Sequence, residues 1–192
     1  MTALPSPRRL LTVADYVALP ADDQRRWELQ EGVLVVSPSP SPRHNIAAGK
    51  LYAQVDAQLP ADLVAVPDVD LDLQLVPDGG PATVRRPDLV VVQRTDVDRV
   101  ESEGGLLRAA SAVLVVEIIS PGSRRTDTVT TPSEYAEAGV AQYWIVDLTW
   151  PVSLLSLRRT DELGYVDEGE ATGVFRTSSP CALTIRVDEL RG

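Results

Sequence analysis

RRPDLVVV (residues 85–92) and AVLVVEIIS (112–120) are two strand-like runs, each carrying one carboxylate, Asp88 in the first and Glu117 in the second. The second is apolar and mostly β-branched, the composition of a central strand buried on both faces. Glu117 interrupts it, and a carboxylate there needs a partner, usually a metal ion, to offset the loss of water. Asp88 poses the same problem one strand earlier. It follows Pro87, which suits the first residue of a strand because it has no N–H to offer. Two acidic groups on adjacent strands make a place for a divalent cation.

Working outward, Thr12-Val13-Ala14-Asp15 has the form of a capping box and opens a short helix. In WELQEGVLVV, Gly32 marks a tight turn between Glu28-Leu29 and a strand over Val33–Val36. The Ser-Pro run 37–42 is a rigid connector in which Ser41 can cap a helix and Pro42 fits its first turn. That helix runs from Pro42 to about Leu59, with Ala48, Leu51, Tyr52, Val55 and Leu59 on a core-facing stripe and His44 on the same side. Val66–Val76 alternates apolar and polar residues and reads as one half-buried strand, its Asp68, Asp70 and Asp72 forming either the solvated face of an edge strand or a metal ladder. It forms a hairpin with the strand leading through Val84 to Val92. Residues 94–108 read as a loop with one helical turn. Thr131-Pro132-Ser133-Glu134 is a second capping box, and Gly139 closes its helix. Gln142–Leu148 and Val152–Leu157 are further strands, with Tyr143-Trp144 as core packing or a dimer contact. Weaker β segments follow. The order of elements gives an α/β domain with a mixed central β-sheet flanked by α-helices.

The chain has 192 residues, a formal net charge of −10, one cysteine and one lysine. That length suits one domain, residues 1–192, with a core over about 11–157 and C-terminal β segments over 158–192. No stretch is long and apolar enough to span a bilayer, and the N-terminus does not read as a secretory signal, so a cytoplasmic protein is expected. Cys181 alone forms neither an internal disulfide nor a cysteine-based zinc site. The acidic balance argues against nonspecific polyanion binding, although arginine doublets allow a local basic groove.

The succession LTVADYVAL, WELQEGVLVVSPSPSPRH, VDLDLQL, RPDLVVV, VVEIISPGSRRTD, EYAEAGVAQYWIVD resembles, from about Leu11 to Leu157, the Uma-type restriction endonuclease family of the PD-(D/E)XK nuclease superfamily. The resemblance implies a restriction-endonuclease-like fold. It matches Asp88 to the aspartate of the Pro-Asp motif, Glu117 to the second acidic position, Glu28 to the acidic position before the glycine turn, and His44 to the histidine opening the first long helix. The sequence departs from the pattern at the motif lysine. Ile119 stands at its strict position, and Thr131 at the alternative one, beyond the aspartate matched by Asp127.

Phosphodiester hydrolysis needs an activated water and stabilisation of a charged leaving oxygen. Mg2+ (or Mn2+) on Asp88, Glu117, Glu28 and the Ile118 carbonyl would provide both. Lys50, Arg124 and Arg125 are the candidate cations, the arginines as phosphate contacts, and His44 is a candidate proton acceptor. Each has a plainer reading as well: ion pairing for Asp88 and Glu117, solvation or amide capping for Glu28, packing or capping for His44, and balance of nearby carboxylates for the arginines. The expected function is a metal-dependent DNA endonuclease, acting as a homodimer. The alternatives are a catalytically weakened nuclease fold that binds DNA or protein, and a hydrolase of another phosphorylated substrate.

Overall fold

A computed structural model describes residues 9–20, 26–37, 39–119 and 131–191. In chain order it contains α1 (Val13–Val17), β1 (Arg26–Gln30), β2 (Val33–Ser37), α2 (Pro42–Asp56), β3 (Leu63–Pro67), β4 (Leu71–Asp72), β5 (Val84–Arg85), β6 (Leu89–Gln93), α3 (Arg94–Glu103), β7 (Leu107–Arg108), β8 (Ala112–Ile119), α4 (Thr131–Glu137), β9 (Gln142–Asp147), β10 (Ser153–Thr160), β11 (Gly164–Ala171), β12 (Val174–Thr177) and β13 (Leu183–Arg186). No described helix is long and apolar enough to cross a membrane.

The run around Glu117 becomes β8, interior to a six-stranded mixed sheet of order β11-β10-β9-β8-β6-β3. It pairs antiparallel with β6 and parallel with β9. Its alternation explains its composition. Leu114, Val116 and Ile118 face one core with Ala47, Leu51 and Val55 of α2, while Val115 faces a second core with Tyr135 of α4 and Tyr143 of β9. Helices on the two faces of a mixed sheet give the restriction-endonuclease-like α/β fold, as expected.

Two expectations are corrected. Val66–Val76 is not one strand: β3 pairs with β6 in the large sheet, whereas β4 pairs with β5 in a five-stranded sheet of order β2-β1-β5-β4-β7. The hairpin changes sheets on both arms, at Asp68, which has φ of 49°, and at Arg86–Asp88. Asp68, Asp70 and Asp72 consequently do not line one face of a single strand, and Asp68 stays exposed. It pairs with Arg26 and Arg86, and Asp72 accepts from the N–H of Gln74 at 3.0 Å. The second correction is α3, a ten-residue helix where the polar sequence read as a loop. Its buried Asp96 accepts from Arg99 at 2.6 Å and from the N–H of Arg108 at 3.1 Å, anchoring a helix with few apolar residues.

Candidate active site

The sheet switch sets up the site. β5 ends at Arg85, the chain crosses Arg86-Pro87, and β6 begins at Leu89, leaving Asp88 at the junction. Asp88 directly precedes Leu89, which pairs with Val116, the residue before Glu117. Asp88 is buried, and both its carboxylate oxygens are engaged. Oδ1 lies 2.8 Å from Nε2 of buried His44, and Oδ2 accepts from the Ile118 N–H at 2.7 Å. His44 is held in turn by the start of α2, where the Ser41 hydroxyl accepts from its N–H at 3.2 Å with Pro42 in the first turn, as the sequence predicts.

Glu117 is half-buried rather than sealed in the strand, and its Oε1 accepts from the Tyr135 hydroxyl at 3.0 Å. Burial, and then the charge of Glu117, push the Tyr135 phenol well above its ordinary range, so it remains a donor. Glu28 belongs to a charged group one layer away. Its Oε1 accepts from the Arg86 N–H at 3.2 Å, and its Oε2 from Arg85 at 3.1 Å. Arg85, with 4% of its side chain exposed, also donates two 2.8 Å bonds to Glu134 of α4. Burial alone would lower the Arg85 pKa, but the bonds and charges of Glu134 and Glu28 outweigh it and raise it.

The structure thus brings Asp88 to His44 and to the N–H of Ile118, the residue after Glu117. It ties Glu28 to Arg85, and sends Lys50 elsewhere: the Lys50 ammonium donates to the Glu189 carbonyl at 2.7 Å. Arg124, Arg125 and Asp127 lie outside the described residues. Sequence reasoning missed Arg85, Glu134 and Tyr135. Glu134 reads as the acid of a capping box, yet its two oxygens go to Arg85. The signals in sequence were an arginine three residues before the Pro-Asp aspartate and a Glu-Tyr pair on the helix after the acidic strand.

The oxygen donors at this strand end, Asp88, Glu117 and the Ile118 carbonyl, are of the hard type that suits Mg2+ or Mn2+. Among the described residues no three His, Cys, Asp or Glu side chains converge as a metal cage. The set fits an ion that takes one or two carboxylates and keeps several waters, which is the habit of magnesium.

No match was found among curated proteins. A crystal structure of a protein titled a putative nuclease belonging to DUF820, from Anabaena variabilis ATCC 29413, is similar over 94% of this chain and 97% of that one, with a TM-score of 0.67 at 17% identity. Residues 13–173, most of the chain, match the Uma2 family, described as "Putative restriction endonuclease", and the chain belongs to that family.

Proposed function

We propose that the protein is a metal-dependent DNA endonuclease with its site at the junction of β6 and β8. The observation that carries this reading is buried Asp88 bonded to the N–H of Ile118, the residue next to Glu117, where β6 and β8 pair, in a chain of a restriction-endonuclease family. Asp88 and Glu117 are the proposed ligands, with the Ile118 carbonyl beside them and Glu28 contributing directly or through water. A bound Mg2+ or Mn2+ supplies Lewis-acid stabilisation of the phosphate and makes water a nucleophile near neutral pH. The chain's own residues do the rest. His44 and the Ile118 N–H fix the Asp88 carboxylate, Tyr135 fixes Glu117, and Arg85 holds Glu28 against α4. His44 is the proposed proton acceptor, and Arg124 and Arg125 the proposed phosphate contacts. Cutting both strands of a duplex takes two sites, for which a homodimer is the proposed assembly.

The test is calorimetric titration of Mg2+ and Mn2+ into wild type, Asp88→Asn and Glu117→Gln. Binding in wild type that weakens at least tenfold in both variants is expected, and equal binding in all three contradicts the assignment. A second reading, a DNA-binding nuclease fold without cleavage, is favoured by the engagement of Lys50 with Glu189 and of Arg85 with two carboxylates. DNA bound by wild type but left intact with either metal supports it.

A further inference from the structure

β2 (Val33–Ser37, VLVVS) forms one edge of the five-stranded sheet, and among the described residues it pairs only with β1. Val33, Val35 and Val36 are 51%, 38% and 48% exposed, and the strand carries no charge. The other edges of the two larger sheets are protected against pairing. β11 carries Asp167, Glu168 and Glu170, with Glu168 as an extra residue where its register with β10 shifts. β3 ends in Pro67 and its Leu63 carbonyl accepts from Arg94 at 3.3 Å, while β7 has two residues only. Among these edges β2 alone is apolar, exposed and uncharged.

The turn into β2 fixes the phase of its main-chain groups. Glu31 and Gly32 have positive φ, 47° and 79°, and make a two-residue turn closed by Gln30 and Val33. Pairing then alternates along the hairpin, so Val33, Val35 and Ser37 bond to β1 whereas Leu34 and Val36 turn their N–H and C=O groups to the outer edge. Leu29, the register partner of Leu34, has the same phase, since it pairs outward with Val84 of β5.

This edge fits a second copy of itself. We propose that two copies of the chain join through β2, antiparallel about a twofold axis at Val35, into one continuous sheet. Leu34 and the partner's Val36 exchange main-chain hydrogen bonds, and the two Val35 residues meet on the axis as a non-hydrogen-bonded pair. That register uses all five residues of β2. It sets Leu34 and the partner's Val36 side by side at the border of the small core of Tyr16, Leu29, Ala82 and Val84, against which Leu34 already packs. Charge makes the same choice. At a net −10 two copies repel over most of their surface, but β2 is uncharged and Glu28 beside it is paired with Arg85.

The axis stands perpendicular to the sheet, so both copies present the same face on the same side. Glu28 is the register partner of Val35, which aligns Glu28, Val35, the partner's Val35 and the partner's Glu28 across three strand spacings, about 14 Å. On the nuclease reading, on which this consequence rests, the two Glu28 clusters turn toward one duplex.

The test uses the full chain. Sedimentation velocity at micromolar concentration is expected to give a dimer for wild type. Val35→Lys, which sets like charges against each other on the axis, should weaken self-association roughly tenfold or more while the monomer still melts cooperatively. Independently of that variant, Cys181→Ser, which removes the one cysteine, is combined with Val35→Cys or with Val33→Cys and oxidised. Across the axis the two Cα atoms at position 35 lie roughly 4.5 Å apart, within reach of a disulfide, whereas those at position 33 lie beyond about 13 Å. Covalent dimer is therefore expected with Val35→Cys and not with Val33→Cys. A monomeric wild type, a dimer indifferent to Val35→Lys, or cross-linking at position 33 as complete as at position 35 overturns the inference. None of these touches the nuclease reading, which stands on metal binding lost in Asp88→Asn; a β2 dimer that binds neither metal overturns that reading alone.

Discussion

Nε2 of His44 lies 2.8 Å from Oδ1 of Asp88, joining the first turn of α2 to the start of β6 across 44 residues of sequence. Both side chains are buried. The other Asp88 oxygen takes the Ile118 N–H, so one carboxylate ties α2, β6 and β8 together. Replacing His44 by Ala leaves Oδ1 buried without this partner, at an expected cost of about 1–3 kcal/mol. Urea denaturation measures it, and a variant as stable as wild type contradicts the pairing.

Arg85 is clamped between Glu28 and Glu134 with little solvent access. Removing it by Arg85→Ala leaves two partly buried carboxylates without their cation, an expected loss of about 3–5 kcal/mol. Because the residues act as one unit, Arg85→Ala and Glu134→Ala combined should cost clearly less than the sum of the two single changes. A double-mutant cycle in urea checks this, and strict additivity argues against the unit.

Asp96 predicts a pH dependence. Burial would push its carboxyl up, but the Arg99 guanidinium and the Arg108 N–H outweigh this and hold it below its ordinary 3.8. A depressed folded-state pKa contributes stability that is present above 3.8 and lost as pH falls through the lower folded value. Wild type should therefore exceed Asp96→Asn in stability at pH 7, with the gap shrinking as the pH is taken below 3.8. A gap constant with pH contradicts the assignment.

Gly32 has φ of 79° in the β1–β2 turn, and a Cβ added there would lie 2.7 Å from Leu10 Cβ and 3.0 Å from the Leu11 nitrogen. Gly32→Ala combines an unfavourable backbone region with a close contact and should destabilise by at least about 2 kcal/mol. Thermal melting of the variant reads the loss, and a melting temperature equal to that of wild type rules it out.

What the sequence disclosed follows from the range of each interaction. Ser41-Pro42, Thr12 with Asp15, and the Gly32 turn are local devices whose partners lie within a few residues, and each forms as read. The two-faced burial of β8 was legible because the hydrophobic run is long. The break between β3 and β4 was not, since the apolar alternation of Val66–Val76 continues through a change of sheet that only the pairing partners reveal. α3 was missed because its first turn has no side-chain cap and its anchor is a buried aspartate bonded to Arg108, twelve residues on. Asp88 and Glu117 were singled out by motif, and the structure bonds Asp88 to His44 and Glu117 to Tyr135. The Arg85–Glu134 pair, 49 residues apart, depends on where α4 docks.

The most direct test of the account is nicking of supercoiled plasmid with Mg2+ and then Mn2+, for wild type beside Asp88→Asn and Glu117→Gln. The account predicts metal-dependent nicking by wild type and at least a hundredfold loss in each variant, with folding of all three verified by thermal melting. Nicking that survives both substitutions, or a wild type that binds metal yet nicks under neither condition, contradicts it.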